Sequence, residues 1–91
     1  MAIIINLPTV LAPFAQGERV LEASGTTVGA AVFDIGARFP TLLPRLADAE
    51  GKPYPFVTFY LNDEDVRFLD GFNTSVNEGD EVTIVPAVAG G

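Results

Sequence analysis

The sequence predicts an α+β domain in which a mixed β-sheet packs against one main helix. Three observations lead there. Short β-branched or alternating runs recur along the chain, one stretch between residues 28 and 39 carries apolar side chains at helical spacing, and Pro, Gly, Asn and Asp collect between them. Ninety-one residues leave room for one domain, and 48% hydrophobic residues are enough to close a core without disulfides. The elements read in the order β-β-α-β-β-β.

Ile3-Ile4-Ile5-Asn6-Leu7 is β-branched and closed by Pro8, so it reads as a strand covered on both faces for part of its length. Thr9 to Gly17, with Pro13 inside it, reads as a connection. Glu18-Arg19-Val20-Leu21-Glu22-Ala23 alternates imperfectly, as an edge strand can, and makes an opening hairpin with the first strand. After the Ser24-Gly25 turn, Thr26 or Thr27 is placed to cap a helix. Its apolar positions Val28, Ala31, Val32, Ile35 and Phe39 form one stripe at i, i+3, i+4, i+7 and i+11. Gly29 and Gly36 lower the intrinsic helical propensity, so this helix depends on tertiary packing. Phe39-Pro40 stops it, Thr41 to Leu46 makes one further turn, and Asp48 to Pro55 is a loop.

Phe56 to Leu61 is the clearest later strand, with Val57, Phe59 and Leu61 on one face and Thr58 and Tyr60 on the other. Asn62 to Asp65 reads as a turn, Val66-Arg67-Phe68 as a short strand, and Leu69 to Asn77 as irregular. Asn77-Glu78-Gly79-Asp80 is a turn into the last strand, Glu81 to Val85, which Pro86 ends. One economical arrangement sets the first and last strands side by side and parallel at the centre, with the helix crossing one face: a β-grasp. Other small α+β sheets satisfy the same pattern. Phe14, Phe33, Tyr60, Phe68 and Phe72 exceed what one helix stripe needs, and most are expected in the core. One or two are expected on the sheet face away from the helix, as a patch that receives partners. Tyr60 is the first choice there, followed by Val85 and Ile4.

The chain has no Cys and no His, which excludes disulfides, thiolate clusters, ordinary zinc sites, Cys nucleophiles and His bases. Asp63, Glu64 and Asp65 lack the spacing of a calcium loop and read as a solvated turn, so no metal site is expected. Asp80 and Glu81 have no nucleophile beside them. The net charge of −7 disfavours nucleic acid and favours basic protein surfaces. No run approaches the ~20 apolar residues of a membrane span, and the first residues lack a basic leader, so a cytoplasmic location is expected.

The last residues are Ala87-Val88-Ala89-Gly90-Gly91. Residues 1–86 are expected to form the domain and 87–91 a flexible C-terminal tail. Such a tail reaches roughly 17 Å when extended at ~3.3–3.6 Å per residue. Its glycines, without Cβ, can thread a narrow channel and present the carboxylate of Gly91 unhindered.

From Asn77 to Gly91 the sequence resembles the ending of the MoaD/ThiS-type ubiquitin-like sulfur carriers: a Gly-Asp-x-Val turn into the last strand, a proline, and Gly-Gly. It is closer still to the CysO-type carriers of cysteine biosynthesis. That likeness rests on Leu61-Asn62-Asp63-Glu64-Asp65-Val66-Arg67-Phe68, Leu7-Pro8-Thr9-Val10-Leu11 and the Pro86-to-Gly91 ending. The resemblance implies a ubiquitin-like β-grasp fold and a carrier that is not itself an enzyme. It implies that an E1-like adenylating/sulfurtransferase enzyme uses ATP to make a Gly91 acyl-adenylate, which a sulfur donor converts to a thiocarboxylate. A PLP-dependent cysteine synthase then receives the sulfur, and a metalloprotease releases cysteine. No cofactor is bound by the chain itself. Ala87, Val88, Ala89 and Gly90 of the tail, together with Tyr60 from its strand face, are the expected partner contacts. The alternatives are the small subunit of a molybdopterin synthase, a thiamine-type carrier, a protein modifier, and a plain β-grasp interaction module.

Overall fold

The computed structural model of the chain describes residues 2–48, 50–54 and 57–86. Five strands form one sheet: β1 (Ile3–Asn6), β2 (Val20–Ala23), β3 (Val57–Leu61), β4 (Glu64–Asp65) and β5 (Glu81–Pro86). Their spatial order is β2-β1-β5-β3-β4. β1 and β5 lie parallel at the centre, with Ile4 opposite Glu81 and Asn6 opposite Thr83. The other neighbours are antiparallel. A parallel pair cannot be closed by a hairpin, and the chain between these two strands contains the helix α1 (Val28–Arg38). This is the β-grasp arrangement that the element order suggests.

Thr27 starts α1 from an extended backbone, and its hydroxyl accepts the Ala30 N–H at 3.1 Å, satisfying one of the free donors of the first turn. Val28, Ala31, Val32 and Ile35 are fully buried. They share a cluster with Ile3 and Ile5 of β1, Leu21 and Ala23 of β2, Phe59 of β3, and Val82 and Ile84 of β5. Each large side chain so buried contributes about 1.5–3 kcal/mol. The two helix glycines are explained by what touches them. A Cβ on Gly29 would lie 2.9 Å from the Phe72 Cβ, and one on Gly36 would lie 2.7 Å from a Leu43 methyl. The helix gives up propensity at the two points where 3₁₀ turns, Gly71–Asn73 and Leu43–Arg45, close onto it.

Three expectations need correction. The connection after β1 is a 3₁₀ segment, Thr9–Ala15, that buries Leu11, Ala12 and Ala15 and ends in left-handed backbone at Gln16 and Gly17. The fourth strand is not Val66-Arg67-Phe68 but the two preceding residues, and Val66–Phe68 is a 3₁₀ turn. The physical reason is Asp65, whose carboxylate accepts the Arg67 N–H at 2.9 Å and draws that donor out of a ladder and into a cap. The surplus aromatics are mostly not core. Phe14 and Phe72 pack half-buried against it, while Phe33 is 40% and Phe68 85% exposed. Phe59 fills the centre, with Phe72 edge-on at 5.1 Å between centroids. Among the described residues no helix is long and apolar enough to cross a membrane.

Candidate functional site

The site is organised by how β5 ends. β1 pairs with β5 only as far as Thr83, whereas β3 pairs with it from Val82 to Pro86. Ile84, Val85 and Pro86 are therefore registered by β3 alone, and Val57 opposite Pro86 is the last pair among the described residues. Ile84 is buried at 2% exposure and roots this segment in the core, while Val85 is 40% exposed on the far side. Pro86 brings no N–H to the sheet. The expected reactive segment, Ala87, Val88, Ala89, Gly90 and Gly91, follows directly and lies outside the described residues.

The face of the sheet turned away from α1 is read from the register. Across its middle run Val20, Asn6, Thr83, Tyr60 and Asp65. Toward the start of β5 lie Glu22, Ile4 and Glu81, and toward its end Thr58 and Val85. Asn6 ties the centre together, donating through Nδ2 to Glu81 Oε1 at 3.0 Å and to Thr83 Oγ1 at 3.3 Å. Tyr60 is half-buried on this face, with Thr83 on one side and Asp65 on the other. Ile4 is half-buried, with Glu22 and Glu81 on its two sides. The most exposed apolar side chains here are Val20, at 60%, and Val85. The structure thus brings Tyr60, Ile4 and Val85 onto one face, but it separates them with threonines, an asparagine and carboxylates. The face is mixed and acidic, suited to a partner that offers donors and cations together with small apolar contacts.

Asp65 closes one side of this face. Its carboxylate takes the Arg67 guanidinium in a fork, with Nε at 3.0 and 3.1 Å from the two oxygens and Nη2 at 2.6 Å from Oδ2. The carboxylate is 8% exposed and the guanidinium 70%. The Arg67 side-chain hydrogen bonds, and next the Arg67 backbone N–H, hold the Asp65 carboxyl below its ordinary range, and Asp65 raises Arg67 in return. Sequence reasoning missed both Val20 and Phe68 as exposed residues. The first is legible in hindsight from the alternation Val20, Glu22 on one side of β2. The second depends on the Asp65 cap, for which Asp two residues before Arg is only a faint signal. Among the described residues no group of three or more carboxylates is gathered to hold a metal ion.

The ThiS family model matches residues 5–91, from inside β1 through the last glycine. The chain belongs to the ThiS family. Within reach of this ThiS-family chain is the sulfur carrier protein CysO of Mycobacterium tuberculosis (strain ATCC 25618 / H37Rv), 45% identical over 93 residues, an alignment that spans 100% of both chains. A chain in the crystal structure of the Amycolatopsis orientalis BexX/CysO complex superposes with a TM-score of 0.91 at 42% identity, covering 99% of this chain and 100% of that one. Small archaeal modifier protein 3 of Haloferax volcanii is 37% identical over 65 residues, 71% of this chain and 70% of its own. The full-length likeness to CysO agrees with the CysO-type resemblance of the sequence, and the superposition agrees with the fold.

Proposed function

We propose that this ThiS-family chain is a sulfur carrier that works from the carboxylate of Gly91, most directly in cysteine biosynthesis. The observation that carries the reading is that the family model and the full-length likeness to CysO both run through Gly90-Gly91, which follow within five residues of the β3-registered Pro86. In this reading residues 1–86 are the body and Ala87 to Gly91 the tail that partners receive, with Tyr60 among the docking contacts.

A carboxylate does not yield to attack by sulfur, because an oxide leaving group is too poor. An E1-like enzyme joins Gly91 to AMP with release of pyrophosphate, a sulfur donor displaces AMP, and the Gly91 thiocarboxylate results. ATP is consumed by that enzyme and PLP belongs to the cysteine synthase that receives the sulfur. The thiocarboxylate sulfur bonds to the β-carbon of the synthase's amino-acid substrate, which has lost its β-substituent. The acyl group passes from sulfur to nitrogen, leaving cysteine in amide linkage to Gly91. A metalloprotease would hydrolyse that amide to free cysteine and restore the Gly91 carboxylate. The chain supplies no catalytic acid, base or nucleophile and is a substrate throughout, in keeping with a sequence that has neither Cys nor His. The likeness of the Amycolatopsis chain, seen in a complex with BexX, supports docking to a partner protein.

Intact-mass analysis of the protein isolated from its own cells tests this. One oxygen-to-sulfur exchange confined to Gly91 is expected, and its loss on deletion of Gly90 and Gly91. A carrier lacking both glycines that still supported growth without external cysteine, in a strain with no other source, would overturn the proposal. The likeness to a small archaeal modifier protein favours one second reading, in which Gly91 is joined to lysines of other proteins. Gly91-linked lysine peptides in a digest would establish it.

A further inference from the structure

The carrier face does not account for Phe68. At 85% exposure it is the most exposed large apolar side chain among the described residues, whose other aromatics are all at least partly covered. It does not sit on a loose loop. Val66, two residues before it, is 1% exposed and roots the turn in the core. Asp65 accepts the Arg67 N–H and grips its guanidinium, the Leu69 N–H reaches the Val66 carbonyl at 3.0 Å, and the Asp70 N–H donates to Thr74 Oγ1 at 3.0 Å. Thr74 is itself 8% exposed. The aromatic ring is carried on a turn fixed at both ends, so little further ordering is needed when it binds.

Its surroundings carry one sign of charge. From Asn62 to Asp70 there are four acids against one base, and the single base is spent on Asp65. Asp63, Glu64 and Asp70 are exposed. Position matters too. β4 is two strands from β5, roughly 9–10 Å at the usual strand spacing. A body held only by its tail in a channel is free to rotate about that tail, and a second contact off the axis removes the freedom.

We propose that Phe68 is a docking anchor that enters an apolar pocket rimmed by basic side chains on the nucleotide-dependent enzyme that activates Gly91. The inference rests on the carrier reading above. The activating enzyme is the partner chosen because a site that holds a triphosphate must gather cationic groups, whose field attracts a chain of net charge −7 and whose neighbours fit the acidic rim of Phe68.

The test uses the full-length protein with the purified adenylating enzyme of the same organism, and reads carrier-dependent pyrophosphate exchange. Phe68→Ala is expected to raise KM for the carrier about tenfold or more, with kcat unchanged and the melting temperature of the carrier equal to that of the parent. Phe68→Leu is expected to recover part of the loss. Glu64→Gln with Asp70→Asn is expected to raise KM at low salt and to converge with the parent at high salt. If Phe68→Ala left KM within about twofold, well short of an anchor, while deletion of Gly90-Gly91 abolished exchange, the anchor would be refuted and the carrier reading would stand. If the parent itself supported no exchange, both would fall.

Discussion

The two edges of the sheet are both closed by an aspartate and an arginine, and they are closed in opposite ways. At the β2 edge the pair comes from the helix. Asp34 accepts the Ser24 N–H at 3.0 Å, the Arg38 guanidinium donates to the Glu22 carbonyl, and the two side chains lie 3.6 Å apart one helical turn from each other. The strand stays regular, alternating exposed and buried over its four residues, and the Glu22 carbonyl and the Ser24 N–H at its end are met from outside. At the β4 edge the pair is local. Asp65 binds the N–H and guanidinium of Arg67 two residues on, and the strand stops after two residues. One edge is covered and keeps its strand. The other sacrifices the strand, and the residues released from it, Phe68 above all, become surface.

The largest effects should come from the residues that root each edge. Leu21→Ala, at 6% exposure in β2, should cost about 2–5 kcal/mol of unfolding free energy. Val66→Ala, at 1% exposure beneath the β4 turn, should cost less, about 1–3 kcal/mol, because fewer methyls are lost. Denaturant titration of both variants checks this, and a Val66 loss larger than that of Leu21 would make the β4 edge the more deeply anchored one.

Acid should separate the edges next. The Asp65 pKa is lowered by Arg67, so its contribution to stability is present above the ordinary carboxylate range and is lost as pH falls through the lower folded value. The parent should therefore lose stability from about pH 4 downward. Asp65→Asn should start lower at neutral pH and decline less over the same range. Urea midpoints at about pH 6 and about pH 2.5 give the comparison, and parallel declines would remove the pair from the account.

The smallest change in stability is expected at the β2 edge. Arg38→Ala breaks an exposed pair and should cost no more than about 1 kcal/mol. Its effect should instead appear in association, since the Glu22 carbonyl is left open to another strand. Light scattering at high protein concentration should rise above the parent, and equal scattering would mean that Arg38 does not guard this edge.

Much of this was legible in one dimension. The stripe from Val28 to Ile35, the alternation along β3 and the turn at Asn77 to Asp80 follow from periodicity and turn chemistry, and they place α1, β3 and the start of β5 to within a residue or two. The terminal Gly90-Gly91 carried the expectation of a reactive end in the same way, because its message is local and chemical. Gly29 and Gly36 signalled that the helix depends on tertiary packing, but not what packs there, because their partners Phe72 and Leu43 are distant in sequence or on another turn. The fate of Val66 to Phe68 was missed because a β-like run loses its strand when one carboxylate claims its N–H.

By itself, then, the sequence determined the main helix and the longer strands, which side of each is apolar, and the family resemblance carried by the chain's ending. Only the tertiary structure decided which strands lie at the centre, how β5 is gripped by β3 beyond the reach of β1, and which aromatic is left outside. The periodicity of a segment records its own buried side, but exposure of a single side chain depends on whether distant segments arrive to cover it.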